Sequence, residues 1–150
     1  MDGDSVATIG NGIAIRKSMI PQAGRGAFVT RPFKYGEYVT EYDGEVISIS
    51  EARQRRIDGY ATHIRSISPL HTAIDGMRVP VQTGRGAASF INDPRGIFRY
   101  NCKFVVTHTV MPGLNRTGLT IMERVFARAI CDISSGDELY VGYGTGYEWN

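Results

Sequence analysis

The sequence predicts a mostly β fold of small curved sheets with one or two short helices. Eighteen of its 150 residues are glycine, and they divide the chain into short runs with the alternating hydrophobicity of β-strands. The one good helix candidate is short, at residues 51–57, and long periodic helices are missing. Many short strands separated by glycine-marked turns favour a β-rich domain.

The predicted strands follow one another closely along the chain. They cover residues 13–17, 27–30, 38–42, 45–49, 62–66, 72–75, 103–110, 119–127 and 138–143. Asp43-Gly44 suits a tight turn, so we expect the third and fourth strands to pair as a hairpin. Ser48 and Glu51 have capping-box spacing, which predicts a helix start there, and Asp58-Gly59 predicts its end.

Composition predicts one soluble, intracellular domain. Hydrophobic residues make up 42% of the chain and charged residues 21%, as in ordinary globular proteins with a real core. The formal net charge of +2 is too small to indicate nucleic-acid binding, and we interpret Arg53, Arg55 and Arg56 as a solvated helix face. No apolar run approaches the roughly 18 residues of a membrane span, and the N-terminus lacks the regions of a signal peptide.

Metal and nucleophile motifs are missing from the sequence. Cys102 and Cys131 are the only cysteines, which excludes a disulfide framework or a four-cysteine zinc site within this chain. His63, His71 and His108 have no metal-ligand spacing, so no metal is expected. There is no phosphate loop, dinucleotide fingerprint or Gly-x-Ser-x-Gly elbow.

Aromatic residues at strand ends and turns are the remaining candidates for a site. They are Tyr38, Tyr42, Tyr100, Tyr140, Tyr143, Tyr147 and Trp149. Taken singly, each fits a core or interface position. Together they could line a slot that accepts the stem and cationic head of lysine or methyl-lysine.

Four sequence blocks, in order, carry a more specific signal. They are Gly24-Arg25-Gly26-Ala27-Phe28; Glu41-Tyr42-Asp43-Gly44-Glu45-Val46-Ile47; Phe90-Ile91-Asn92 followed by Asn101-Cys102; and Gly136-Asp137-Glu138-Leu139 with Tyr143-Gly144 and Tyr147-Glu148-Trp149. Ile74-Asp75 matches as well. This order resembles the SET-domain protein lysine methyltransferases over residues 24–149. We therefore expect one SET domain over residues 1–150, with a variable insert at about 50–72.

The resemblance implies a β-clip fold with a knot-like threaded segment, and a site between two ligands. S-adenosylmethionine, whose product is S-adenosylhomocysteine, would lie on one face and a substrate lysine on the other. The implied cofactor-binding residues are Gly24, Arg25, Gly26, Phe90, Ile91, Asn92, Asp93, Tyr143 and Trp149. Tyr143 and Tyr42 match the catalytic tyrosines, and Tyr42, Phe104, Val141 and Tyr147 would line the substrate channel. Phe104 matches a Phe/Tyr position that governs methyl number, so we expect room for more than one methyl.

The implied activity is methyl transfer to a lysine of a protein, with a histone tail as the first candidate. This substrate implies a nuclear or chromatin-associated location, with the cytoplasm as the alternative, and neither nucleic acid nor membrane as a partner. A cationic tail favours acidic neighbours, for which Glu41, Glu45, Asp58, Asp75 and Asp93 are candidates. The chemistry needs no general-base side chain, because desolvation and the sulfonium charge both lower the pKa of lysine.

The chain departs from the family pattern at the third block. Asp93-Pro94 stands where the family has histidine, Ser89 replaces arginine, Tyr100 replaces proline, and residues 95–99 lengthen the loop. No Cys-x-Cys cluster follows Trp149, so Tyr147 and Trp149, residues beyond this end or a partner would close the channel. Two alternatives follow: a SET-like module that binds peptide or cofactor without catalysis, and a β-rich interaction domain unrelated to the family.

Overall fold

The computed structural model describes residues 12–42, 45–58, 64–68, 72–75, 86–112 and 119–142. The elements within these ranges are β1 (Ile13–Lys17), β2 (Arg25–Val29), β3 (Tyr38–Glu41), β4 (Glu45–Ser48), α1 (Ile49–Ile57), β5 (Ile64–Ser68), β6 (Thr72–Asp75), a 3₁₀ turn (Ala88–Phe90), β7 (Cys102–Pro112) and β8 (Leu119–Ala129). The predicted mostly β architecture is confirmed. Within these ranges, no helix has the length and apolarity needed to span a membrane.

The strands form three small antiparallel sheets. Their orders are β1-β2, β3-β8-β7 and β4-β6-β5. On β8, Val125, Ala127 and Ala129 are buried and alternate with partly exposed residues, which is the period-two pattern of a strand with one face on a core. The main core joins the first two of these sheets to the segments around Ile91 and Leu139.

The predicted hairpin between the third and fourth strands is wrong. β3 pairs with β8, and β4 pairs with β6, so the two strands belong to different sheets. Val39 and Thr40 are buried beside β8, and this non-local pairing is invisible to a turn dipeptide. Asp43 and Gly44 themselves lie outside the described residues.

The last predicted strand, residues 138–143, is a segment with isolated bridges over residues 138–141, and its last residue, 143, lies outside the described residues. Glu138 bridges Phe28 of β2, Tyr140 bridges Asn92, and Val141 bridges Cys102. Residues 138–141 therefore lie against β2 and against both ends of the loop from Asn92 to Cys102. This arrangement agrees with the knot-like crossing that the resemblance implies.

Helix α1 ends at Ile57 as the sequence predicts, but it begins at Ile49, two residues before the predicted start and directly after the predicted Ser48 cap. The Ser48 hydroxyl accepts a hydrogen bond from the Glu51 amide at 3.0 Å, which satisfies one of the free N–H groups of the first turn. Arg55 pairs with Glu51 at 3.0 Å, one helical turn apart. Arg53 and Arg56 are exposed, as expected for a solvated face.

Gly86 fits against β3 because it has no side chain. A Cβ at this position would collide with the backbone N and O atoms of Glu41. The next residue, Ala87, donates its amide to the Thr40 hydroxyl at 2.8 Å. The segment that leads to the third sequence block is thereby held directly on the backbone of β3.

We expect Gly86→Ala to lower the free energy of unfolding by about 3 kcal/mol, since overpacking against backbone atoms cannot relax by a rotamer change. Urea denaturation followed by circular dichroism measures this loss. Gly36→Ala is the matched control, because Gly36 has φ of +89° and no atom closer than 3.7 Å to the added Cβ. Its expected loss is about 1 kcal/mol, from the left-handed backbone alone. Equal losses for the two variants would contradict the close-approach explanation.

Candidate active site

Gly24, Arg25 and Gly26, called the glycine segment below, lie at the start of β2. This segment is open at Gly24 and closely packed at Gly26. No heavy atom lies within 4 Å of a Cβ added at Gly24, whereas a Cβ at Gly26 would collide with the Glu138 carboxylate. A cavity of about 380 Å³ lies beside this segment, lined by Lys17, Ser18, Met19, Ile20, Pro21, Gln22, Gly24 and Arg25. Its volume is typical of small-molecule sites.

Asn92 connects the glycine segment to residues 138–141, which are called the C-terminal segment below. Its side-chain amide donates to the Arg25 carbonyl at 2.9 Å, and its own carbonyl accepts the Val141 amide at 3.1 Å. The 3₁₀ turn before it ends in Phe90, which packs on the core, and Ile91, which is buried. The apolar residues anchor the segment so that the Asn92 side chain reaches the start of β2.

Asp93 and Pro94 form an ordered turn in place of the family's histidine. The Asp93 carboxylate accepts the Arg95 amide at 2.9 Å, as aspartate often does in turns. Pro94 is fully buried, and its carbonyl accepts the Ile97 amide at 2.9 Å. The Asp93 side chain is therefore engaged in holding the turn.

Glu138 is a buried carboxylate beside the glycine segment, and no role was predicted for it from the sequence. It accepts hydrogen bonds from the Ser18 hydroxyl at 2.6 Å, the Met19 amide at 2.8 Å and the Tyr140 hydroxyl at 3.0 Å. Burial is the larger cause and the hydrogen bond to Glu138 the smaller cause of a raised pKa of Tyr140. The phenol therefore stays protonated and remains a donor. Three donors offset the cost of burying this carboxylate. The bonds from Ser18 and Met19 also tie the β1–β2 turn to the C-terminal segment.

Asn101 and Cys102 hold the same C-terminal segment from the other side. The Asn101 amide donates to the Glu138 carbonyl at 2.8 Å, and its side-chain oxygen accepts the Tyr140 amide at 2.7 Å. The Cys102 thiol donates to the Tyr140 carbonyl at 3.4 Å, and burial raises its pKa, so the thiol stays protonated. The Asn-Cys pair of the third block thus fixes the backbone three to five residues before Tyr143.

Three of the four predicted channel residues meet in the core. Tyr42, Phe104 and Val141 are buried in one cluster, and the rings of Tyr42 and Phe104 meet edge to face with centroids 5.7 Å apart. The Tyr42 amide also donates to the Val125 carbonyl at 2.8 Å, which fixes the residue at the end of β3. Tyr143, Tyr147 and Trp149 lie outside the described residues.

The acidic candidates for a cationic substrate are already engaged where the structure describes their side chains. Glu41 is buried and accepts two hydrogen bonds from Arg124, at 2.9 and 2.6 Å. The hydrogen bond to Glu41 raises the pKa of Arg124. Asp58 accepts from Gln54, and Asp93 caps its turn. The expectation that Glu41 is available to a cationic tail is therefore wrong, because its charge is compensated by Arg124.

Comparisons with known proteins find a matching family model and several relatives. A family model described as the SET domain matches residues 24–144. The N-lysine methyltransferase KMT5A-A of Xenopus laevis is 32% identical over 94% of this chain, and KMT5A of Xenopus tropicalis is 29% identical over 94%. The chain spans 39% of the length of each of these relatives.

Similar solved structures extend over nearly the whole chain. A humanized mutant of Chaetomium thermophilum Polycomb Repressive Complex 2 bound to the inhibitor GSK126 has a TM-score of 0.63 and 22% identity, over 95% of this chain and 16% of that one. The same fungal complex in an autoinhibited conformation bound to S-adenosylmethionine has a TM-score of 0.61 and 22% identity, over 95% and 16%. At this identity the likeness shows the fold alone.

Proposed function

Because the chain belongs to the SET-domain methyltransferase family, whose model matches residues 24–144, we propose that it is a protein-lysine N-methyltransferase. The methyl donor is S-adenosylmethionine, and the acceptor is a lysine side chain of a protein. A histone tail, which is cationic and carries lysines on an extended segment, is the first candidate substrate. A nuclear or chromatin-associated location follows from that substrate.

The observation that carries the proposal is the double attachment of Asn92. One side-chain hydrogen bond joins it to Arg25 in the glycine segment, and one backbone bond joins it to Val141 beside the predicted channel. The glycine segment, proposed to bind the cofactor, and the C-terminal segment, which contains the proposed channel residue Val141, are thus both bonded to Asn92. A bound donor and acceptor would meet beside it, and holding both in position can lower a barrier by several kcal/mol.

The described residues fit the proposed cofactor. Gly24 has open space where a side chain would stand, so a ligand can approach its backbone closely. Gly24, Arg25, Gly26 and Asn92 would hold the methionine part, and the backbone from Phe90 to Asp93 would hold the adenosine part. When bound, the sulfonium supplies an activated methyl group.

The acceptor side depends on desolvation and alignment. Tyr42, Phe104 and Val141 are buried and mostly apolar, and such surroundings favour the neutral form of a lysine amine. The hydroxyls of Tyr42 and Tyr143 would orient that amine toward the methyl group. The Glu41–Arg124 pair, next to Tyr42 in the chain, links the end of β3 to β8.

Phe104 is proposed to leave room for more than one methyl. Its ring lies edge-on to Tyr42, and a hydroxyl added by Phe104→Tyr would occupy space and hydrogen-bond the amine. We expect the variant to shift the product toward monomethyl-lysine at similar total turnover of the first methyl. Mass spectrometry of exhaustively methylated peptide measures this ratio. Monomethyl product alone from the wild-type protein would contradict the assignment.

Two measurements on the wild-type chain test the proposed function. Calorimetry with S-adenosylhomocysteine tests cofactor binding, and transfer of radiolabelled methyl to a panel of core histones tests activity. Site mapping on the labelled histone then identifies the lysine. We expect binding and labelling, and no labelling of the same histones after their lysines are chemically acetylated.

A second candidate function is a binding module without catalysis. The replacement of the family's histidine by Asp93-Pro94 favours it, because the Asp93 side chain is engaged in its own turn. Binding of S-adenosylhomocysteine without transfer to histones or to a lysine-peptide library would support this module. Folded protein that binds neither cofactor nor lysine peptide would contradict both candidates.

A further inference from the structure

The lengthened loop after Asn92 presents an aromatic ring on a well-defined turn. The turn is held by the Asp93 carboxylate on the Arg95 amide and by the Pro94 carbonyl on the Ile97 amide, both at 2.9 Å. Arg95 and Gly96 have φ values of +48° and +88°, and this left-handed pair reverses the chain. Phe98 lies two residues after this reversal, and its ring contacts Tyr140.

Phe98 lies flat on Tyr140. The two ring centroids are 5.0 Å apart and the ring planes differ by 4°. Tyr140 is buried, whereas Phe98 remains 40% exposed. The stack therefore covers one face of Phe98 and leaves part of the ring exposed to solvent.

This exposed ring is connected to the proposed cofactor site by direct contacts. The Tyr140 hydroxyl donates to Glu138, and the Glu138 carboxylate lies against Gly26. Tyr140 also bridges Asn92 through the backbone. Phe98 is thus one stacked ring away from the residues that would hold the methionine part of the cofactor, and it is in the same turn as Asp93.

We propose that Phe98 is a cofactor-binding residue that stacks on the adenine ring of S-adenosylmethionine. This proposal rests on the proposed function and adds a residue to it, supplied by the inserted segment 95–99. A purine is flat and π-rich, and it stacks on exposed aromatic side chains with little need for hydrogen bonds. Phe98 is suited to this contact because Tyr140 holds its ring in place before the ligand arrives.

The alternative is that Phe98 only shields Tyr140 from water. Phe98→Leu separates the two roles, because leucine still covers Tyr140 with apolar surface but offers no ring to a base. Phe98→Tyr restores the ring. Ile97→Ala is the control for the turn itself, since Ile97 is 58% exposed in the same turn.

Calorimetry with S-adenosylhomocysteine on the full chain tests the proposal. We expect a Kd roughly 5- to 150-fold weaker for Phe98→Leu, the range of single base–aromatic stacks. Phe98→Tyr and Ile97→Ala should bind within twofold of the wild type. Thermal unfolding of the variants checks that the fold is retained.

The outcomes distinguish this proposal from the one it rests on. Wild-type binding together with unchanged affinity in Phe98→Leu would overturn the stacking role and leave the proposed function intact. Equal weakening by Ile97→Ala would also overturn it, since the loss would then come from the turn. No binding by the folded wild type would overturn the proposed function and the stacking role together.

Discussion

Replacement of Tyr143 by phenylalanine is expected to lower kcat for lysine methylation roughly 100-fold, which corresponds to about 2.7 kcal/mol of transition-state stabilisation. The variant keeps the ring and loses only the hydroxyl. In the proposed reaction this hydroxyl holds the neutral amine in line with the methyl group, and small misplacements at such a centre cost factors of this size.

The backbone that leads to Tyr143 is fixed independently of the hydroxyl. Asn101 bonds Glu138 and Tyr140, and Val141 bonds Asn92, so loss of one phenolic oxygen leaves these contacts unchanged. We therefore expect S-adenosylhomocysteine to bind Tyr143→Phe within about threefold of the wild type. Radiolabel transfer and calorimetry on the same preparation separate the two quantities.

Tyr38→Phe is the matched control for the loss of a tyrosine hydroxyl. Tyr38 is 52% exposed and stacks on Phe126, with ring centroids 5.2 Å apart, on the sheet formed by β3, β8 and β7. We expect wild-type kcat for this variant. A Tyr143→Phe protein that methylates at the wild-type rate would exclude Tyr143 from the chemistry.

The parts of the fold that depend on local residues could be predicted from the sequence. The strand at residues 72–75 is confirmed with its bounds, and the Ser48 cap is confirmed with its hydrogen bond to the Glu51 amide. Both features depend on residues within a few positions of each other. Alternation of apolar and polar residues and short-range capping are properties that a single sequence displays directly.

The parts that depend on distant residues could not be predicted. Asp43-Gly44 predicted a hairpin, but β3 pairs with β8, more than eighty residues away along the chain. Residues 138–141 have the alternation of a strand, yet they bridge three separate segments. Strand pairing is decided by which apolar faces meet in the core, and that choice is not encoded at the turn.

Glu138, which the structure places beside the glycine segment, and Phe98, which we propose as a cofactor contact, were not indicated by the sequence. Glu138 falls within a block that matches the family, but a lone glutamate beside a turn is usually solvated, and nothing in the sequence indicated its three donors. Phe98 lies in the segment that departs from the family, so the resemblance gave it no role. The position of Asn92, by contrast, followed from the resemblance, and the structure adds the Arg25 carbonyl as its partner.

Asn92→Ala is expected to affect cofactor binding far more than stability. The hydrogen bond from Asn92 to Arg25 is exposed to solvent, and one such bond contributes about 1 kcal/mol to folding. In the proposed complex the same side chain also bonds the cofactor, so its loss removes a ligand contact and loosens the glycine segment. We expect a Kd for S-adenosylhomocysteine about 100-fold weaker, measured by calorimetry.

Asn101→Ala is the opposite case and serves as the control. Asn101 makes two hydrogen bonds to the backbone of residues 138–140, at a part-buried position, so its loss should cost about 2 kcal/mol of stability. Its side chain bonds the C-terminal segment rather than the glycine segment, and the effect on Kd should stay below about fivefold. Urea denaturation and calorimetry on both variants give the two ratios. If Asn92→Ala and Asn101→Ala weakened cofactor binding equally, the loss would reflect general loosening of the crossing, and the assignment of Asn92 to the cofactor would be wrong.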